Sequence, residues 1–109
     1  MPQWTAPPGF DPWPEGRPRT WFQEAVVAVV AALRPGDLTT YGEVAAEAGR
    51  PGAGQAVANV LRSASDLPWW RVVPGEGRVY RTHAPLQVPL LEAEGHRVDE
   101  RRRVHPGDG

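Results

Sequence analysis

The chain has 109 residues, contains no cysteine, and carries twelve basic residues, all arginine, for a formal net charge of -1. This length predicts a single domain with one modest core. Without cysteine, disulfides, a thiolate nucleophile and zinc–thiolate sites are excluded. The longest apolar run, residues 25–33, is too short to span a bilayer, and the N-terminus lacks a signal-peptide pattern. We therefore expect a cytoplasmic protein that does not bind membranes.

The charge is unevenly distributed along the chain. Residues 1–49 hold three arginines against six acids, residues 50–83 hold five against two, and residues 84–109 hold four against five. The middle third, with a balance of +3, is thus the candidate basic surface. An excess of this size attracts phosphate, but it is much smaller than that of a strongly basic nucleic-acid binder.

Residues 1–19 are predicted to form an extended arm. They contain six prolines, which prevent a helix or an interior strand from propagating. Trp4 and Trp13 are expected to anchor this arm on the domain surface, because disordered tails are normally poor in aromatic residues.

The first helix is predicted to begin at Thr20. Thr20 and Gln23 have the spacing of a capping box, in which each side chain satisfies a backbone N–H of the other. An apolar stripe follows, and Arg34-Pro35-Gly36 ends the helix. The stripe consists of Phe22, Val26, Val29 and Leu33.

A helix-turn-helix is predicted next. A second capping box, Thr40 and Glu43, begins a short helix that buries Val44, Ala45 and Ala48. A glycine-containing connector over residues 49–52 leads to a third helix, roughly residues 53–62, as in a helix-turn-helix. One side of this helix is apolar (Ala56, Val57, Val60, Leu61) and the other small and polar (Gln55, Ala58, Asn59, Arg62).

The second half of the chain is predicted to supply a wing. Turn residues 74–77 separate residues 71–73 from residues 78–80, which indicates a β-hairpin. A final helix is expected to start near Pro89, since proline fits only the first turn of a helix. Residues 100–109 are predicted to be a fraying polar tail. The fold class is therefore mainly α with a small β-hairpin, a single winged helix-turn-helix domain over residues 20–99.

Five motifs occur in one order along the chain. They are Thr40–Ala45 (TYGEVA), Ala48–Pro51 (AGRP), Gln55–Val57 (QAV), Leu67–Val73 (LPWWRVV) and Leu90–Gly95 (LLEAEG). Together they resemble the DNA-binding domain of O6-alkylguanine-DNA alkyltransferases, and especially the alkyltransferase-like proteins. The resemblance extends from about residue 22 to residue 98.

The resemblance implies a sensor rather than an enzyme. Alkyltransferases carry Pro-Cys-His-Arg before Val-Val, and their cysteine accepts the alkyl group. Here Trp69 stands at the cysteine position and Trp70 at that of the histidine, and tryptophan offers no nucleophile. No metal or organic cofactor is indicated for this chain, and we expect a monomer. It would bind alkylated guanine in double-stranded DNA by nucleotide flipping and pass the lesion to nucleotide excision repair proteins.

The same resemblance implies roles for individual residues. Tyr41 would press on the phosphate of the target nucleotide, and Gln55, at the position of the family's arginine finger, would replace the extruded base in a helix that enters the minor groove. Glu94, matching the glutamate that orients the family histidine, is expected to be structural. The predicted DNA-binding residues are Thr40, Tyr41, Gln55, Ala56, Asn59 and Arg62, and the predicted lesion pocket is Tyr41, Trp69, Arg71, Val79 and Tyr80.

Two alternatives remain open at this point. The polar side of the third helix has the pattern of any solvated helix face. The chain as a whole also fits a degenerate winged-helix protein-interaction module with weak or no DNA binding. The absence of the arginine finger and the histidine, the net charge of -1 and the Trp/Pro arm favour that second interpretation.

Overall fold

The computed structural model describes residues 20–64 and 66–107, which contain four α-helices and four two-residue strands. The predicted arm with Trp4 and Trp13 lies outside these residues. In chain order the elements are α1 (Trp21–Ala31), β1 (Thr39–Thr40), α2 (Tyr41–Glu47), α3 (Gly54–Ser63), a 3₁₀ turn (Trp69–Arg71), β2 (Val72–Val73), α4 (Ala84–Ala93), β3 (Arg97–Val98) and β4 (Val104–His105).

The predicted capping boxes define the starts of α1 and α2. The Thr20 hydroxyl accepts from the Gln23 N–H at 3.1 Å, and the Gln23 side chain accepts from the Thr20 N–H at 2.8 Å. The Thr40 hydroxyl likewise accepts from the N–H of Glu43 at 3.1 Å. These bonds satisfy N–H groups that the first turn of a helix cannot pair internally.

The helix-turn-helix encloses the main core. The connector between α2 and α3 turns through Gly49 (φ 100°) and Gly52 (φ 89°), a backbone region that other residues rarely adopt. This turn packs the apolar sides of α1, α2 and α3 against each other. The buried residues of this first core are Phe22, Val26, Val30, Tyr41, Val44, Ala45, Ala48, Val57, Val60, Leu61 and Val72.

The fold class is confirmed, but the predicted pairing of residues 71–73 with residues 78–80 in a hairpin is wrong. Val72–Val73 pairs in parallel with Thr39–Thr40, and residue 78 makes only an isolated bridge to Arg103. Residues 74–77 do form a tight turn, but the chain beyond them is drawn toward the C-terminal segment and toward Tyr41. The β1–β2 pair therefore joins the start of α2 to residues 69–73.

The hairpin of the fold lies nearer the C-terminus. Strands β3 and β4 are antiparallel, with Val98 opposite Val104, and Val104 is buried with Val73, Val79 and Leu91 in a second core. The expectation that residues 100–109 fray is thus wrong for residues 100–107, because burial of Val104 and strand pairing outweigh the polar composition. A hydrogen bond from the His105 ring and backbone N–H groups lowers the pKa of Asp99, within this hairpin, to about 2.

Helix α4 starts five residues before Pro89, contrary to the prediction. Pro85 occupies its first turn, and Pro89 lies inside the helix, where it removes the donor to the carbonyl four residues earlier. The side chain of Gln87, in the same helix, is buried, and its amide donates to the carbonyl of Trp70 at 3.0 Å and to that of Val72 at 3.2 Å. Gln87 thus fixes the tryptophan segment against α4.

Candidate nucleic-acid interface

A cleft of about 630 Å³ opens beside the outer side of α3. It is walled by α2, α3, the 3₁₀ turn and the loop that leads into α4. Among the lining residues that belong to the described part of the chain, Arg62 is the one with a formal charge, and none is a carboxylate. The lining residues are Tyr41, Gln55, Ala58, Leu61, Arg62, Ala64, Trp69, Tyr80, Thr82, His83 and Leu86.

Aromatic rings form the walls of this cleft. The rings of Tyr41 and Tyr80 stack with centroids 5.9 Å apart and planes at 26°. His83 contacts two rings edge-on, that of Trp69 at 5.6 Å and that of Tyr80 at 5.4 Å. Flat, polarisable walls of this kind accept another planar ring, because aromatic groups prefer stacked or edge-to-face contacts at these separations.

Tyr41 is held in its place by both core packing and the β1–β2 pair. Its side chain is only 7% exposed, and burial raises the pKa of the phenol to about 12, with a further contribution from Tyr80 that Arg62 partly opposes. The hydroxyl therefore keeps its proton at neutral pH and can donate a hydrogen bond to an acceptor such as a phosphate oxygen.

The outer side of α3 carries a short chain of polar contacts. The Gln55 amide donates to Asn59 Oδ1 at 3.3 Å, and the Arg62 guanidinium donates to the same oxygen at 3.4 Å. All three side chains are exposed. The N-cap of α3, Ala53, supplies no side-chain hydrogen bond, so the first-turn N–H groups are available to an anion.

A charged network lies behind the cleft. The Glu94 carboxylate accepts from Arg71 Nη2 at 2.7 Å, from the Trp70 indole N–H at 2.8 Å and from the Gly36 N–H at 2.9 Å. Arg71 Nη1 also donates to the carbonyl of Leu33 at 3.0 Å. Trp70 thus supplies a donor to Glu94, whose structural role was predicted, and the network ties α4 to the end of α1.

The structure brings together some of the predicted pocket residues and not others. Tyr41, Trp69 and Tyr80 line the cleft, whereas Arg71 is buried against Glu94 and Val79 is 1% exposed in the second core. Trp69 and Trp70 lie in a 3₁₀ turn with their ring planes at 86°. This turn directs Trp69 to the cleft and packs Trp70 against the second core.

The predicted DNA-binding residues divide in a similar way. Tyr41, Gln55 and Arg62 line the cleft, and Asn59 lies between the last two on the same side of α3. Thr40 has its hydroxyl engaged as the cap of α2, and Ala56 packs against the first core.

Two cleft residues, His83 and Leu86, are not among the pocket residues that the sequence predicts. They lie between the predicted hairpin and the predicted start of the last helix. Their sequence pattern therefore does not indicate that they lie beside Trp69. The early start of α4 at Ala84 is what brings them there.

Within residues 20–64 and 66–107, no group of three or more His, Asp and Glu side chains is arranged to hold a metal ion. None of the helices described there is long and apolar enough to cross a bilayer.

Comparison with known proteins gives consistent matches. The family model described as 6-O-methylguanine DNA methyltransferase, DNA binding domain, matches residues 21–96. A Vibrio parahaemolyticus protein named DNA base-flipping protein is 39% identical over 85 residues, which cover 72% of this chain and 84% of that protein. The Escherichia coli protein of the same name is 44% identical over 79 residues, which cover 68% of this chain and 61% of that protein.

Solved structures give the same picture. S. pombe Atl1 in complex with damaged DNA containing O6-carboxymethylguanine has a TM-score of 0.66 at 26% identity, over 72% of this chain and 79% of Atl1. Mycobacterium tuberculosis O6-methylguanine methyltransferase has a TM-score of 0.60 at 30% identity, over 70% of this chain and 49% of that enzyme.

Proposed function

Because the chain belongs to the 6-O-methylguanine DNA methyltransferase family, as an alkyltransferase-like protein, we propose that it binds duplex DNA and holds an extruded O6-alkylated guanine in the aromatic cleft. The proposal concerns recognition without chemistry. Trp69 occupies the position of the alkyl-accepting cysteine, and the chain has no cysteine elsewhere that could take its place.

One observation carries this proposal: the aromatic cleft adjoins the polar side of α3. Gln55 and Arg62 belong both to that side and to the cleft lining. A helix that lies in a DNA groove through Gln55, Asn59 and Arg62 would therefore bring the opening of the cleft to the duplex. A purine rotated out of the stack would have only a short distance to travel.

The polar groups at this surface suit phosphate and base edges. Arg62 supplies a charge-assisted contact to phosphate, and the Tyr41 hydroxyl supplies a neutral donor. Gln55 and Asn59 can pair with base edges, although readout in the minor groove distinguishes little beyond A·T from G·C. Selectivity would then come from extrusion, which costs less for a base that pairs poorly.

The biological setting is part of the same proposal. The relatives named for base flipping, and Atl1 solved with damaged DNA, support DNA as the partner. We propose that the protein acts in the cytoplasm as a monomer and that it passes the lesion to nucleotide excision repair proteins.

Titration of two labelled duplexes tests the proposal. They are identical except that one carries a single O6-methylguanine, and the affinity for each is measured by fluorescence anisotropy at several salt concentrations. We expect tighter binding to the modified duplex, and affinities for both that fall as salt rises. Absence of binding to either duplex at low salt would contradict the proposal.

Replacement of Arg62 by alanine should weaken binding to both duplexes equally. Arg62 is the one cation among the described residues that line the cleft. Its loss removes about one phosphate contact and should reduce the slope of log affinity against log salt by about 0.9. Arg34→Ala, which removes an exposed arginine outside the cleft, is the control and should leave the slope unchanged. If Arg62→Ala changes the lesion preference but not the slope of log affinity against log salt, the prediction is wrong, and Arg62 contacts the base in the pocket rather than a phosphate.

A second function, that of a protein-interaction module, is favoured by one observation. Leu86 and Leu90 are 71% and 37% exposed, one turn apart on α4. Exposed apolar pairs of this kind occur at protein interfaces. The titration decides between the two functions, because an interaction module would bind both duplexes weakly and without lesion preference, or not at all.

A further inference from the structure

The C-terminal hairpin contacts the loop that carries Tyr80. The Val104 N–H donates to the carbonyl of Gly77 at 2.8 Å, and Arg103 Nη1 donates to the carbonyl of Glu76 at 3.1 Å. Val79 is held from both sides by one residue, Arg102: the Val79 N–H donates to the Arg102 carbonyl at 2.9 Å, and Arg102 Nε donates to the Val79 carbonyl at 3.0 Å.

Arg102 has an unusual backbone conformation. Its φ of 66° makes it the one non-glycine residue with positive φ in the described part of the chain. A left-handed conformation is unfavourable for a residue with a side chain, so neighbouring contacts must impose it. The Asp99 carboxylate provides them, because Oδ1 accepts from the N–H groups of Arg101 and Arg103, on either side of Arg102.

The hydrogen bonds between Arg102 and Val79 lie next to the cleft. Tyr80 follows Val79 directly, and its ring stacks on Tyr41 and contacts His83 although the residue is 45% exposed. Its carbonyl accepts from the N–H groups of His83 and Ala84, both at 3.0 Å. Val79, by contrast, is 1% exposed. The backbone that carries the Tyr80 ring is therefore held on one side by Val79 and on the other by the start of α4.

We propose that Arg102 is a positioning residue for the aromatic cleft: by holding both backbone polar groups of Val79, it sets the Tyr80 ring against Tyr41. The hairpin of β3 and β4 then has a role beyond covering the second core, since it orients one wall of the pocket. The consequence for lesion recognition rests on the proposed function. The positioning itself does not.

The chain has only two tyrosines, Tyr41 and Tyr80, so labelling tyrosine rings with ¹³C gives a direct readout of their stack by NMR in the absence of DNA. In Arg102→Ala we expect the Tyr80 ring signals to move toward their random-coil positions. Alanine retains a Cβ and hence the same backbone strain. This variant therefore removes the guanidinium with its charge and its bond to the Val79 carbonyl, and keeps the backbone bond from the Val79 N–H. Arg101→Ala removes the same charge one residue away and should leave both rings unchanged.

Arg102→Lys keeps a flexible donor in reach of the Val79 carbonyl and should restore part of the Tyr80 shift. If the alanine variant does not fold, comparison of Arg102→Lys with the wild type still tests the positioning role. Unchanged tyrosine spectra in a folded Arg102→Ala, or a Tyr80 shift equally large in Arg101→Ala, would overturn the proposal.

A double-mutant cycle on DNA then links this position to recognition. We expect Arg102→Ala to reduce the preference for the O6-methylguanine duplex about fivefold, and Tyr80→Ala to reduce it about tenfold. Adding Arg102→Ala to Tyr80→Ala should produce no further loss, because the two changes act on the same ring. Additive losses would show that Arg102 does not act through Tyr80. Absence of any lesion preference in the wild type would contradict the proposed function and leave the NMR result standing.

Discussion

Replacement of Glu94 by glutamine is expected to lower the free energy of unfolding by about 3 kcal/mol or more, because it leaves the Arg71 guanidinium buried without its counter-charge. The two side chains are 12% and 10% exposed and are joined by a 2.7 Å contact. Chemical denaturation measures the loss. Glu92→Gln, an exposed change on the same helix, should cost less than about 0.5 kcal/mol.

The same substitution should alter the response to acid. The hydrogen bond from Arg71, assisted by Gly36 and Trp70, lowers the pKa of Glu94 from 4.5 to about 2 in the folded protein. A lowered folded-state pKa gives stability that is complete above about pH 4.5 and is lost as the pH falls toward 2. Wild type and Glu94→Gln should therefore converge in stability over that range. A variant as stable as wild type at neutral pH would contradict this account of the network.

Replacement of Trp69 by leucine should reduce affinity for the O6-methylguanine duplex about tenfold or more, since stacking of a base on an aromatic ring contributes about 1–3 kcal/mol. Leucine keeps an apolar side chain toward the first core, against which Trp69 packs. Affinity for the unmodified duplex should change little, because a base that stays in the helix does not reach this ring. Anisotropy titration of both duplexes measures the difference.

Trp21→Leu is the matched control for this prediction. Trp21 is 55% exposed and lies outside the cleft, with the Arg50 guanidinium 5.2 Å from its ring centre. The same substitution there should leave the lesion preference unchanged. Equal losses for both duplexes in Trp69→Leu would mean that the ring supports the fold rather than the pocket.

Local chemistry made much of the fold predictable. The Thr20–Gln23 and Thr40–Glu43 spacings locate two helix starts because capping is decided within three residues. The apolar period of α3 likewise identifies Val57, Val60 and Leu61 as its buried side. Signals of this kind do not depend on the rest of the chain.

Long-range pairing could not be predicted in this way. Val72–Val73 reads as one strand of a local hairpin, yet its partner is Thr39–Thr40, more than thirty residues earlier. Strands of two residues carry too little pattern to specify a partner, and their pairing follows from how the helices pack. The prediction that Val79 lines the pocket fails for the same reason. Val79 is next to Tyr80 in sequence, but its contacts with the C-terminal hairpin bury it in the second core.

The central claim is that a modified guanine leaves the duplex and enters the cleft. It can be tested at the base that was paired with this guanine. A thymine placed opposite O6-methylguanine becomes more open to permanganate oxidation when its partner is extruded. We expect binding to increase oxidation at that thymine over the free duplex, and an unmodified duplex to show no increase at the matching position. Unchanged oxidation with the modified duplex fully bound would contradict the claim, because the protein would then bind DNA without flipping a base.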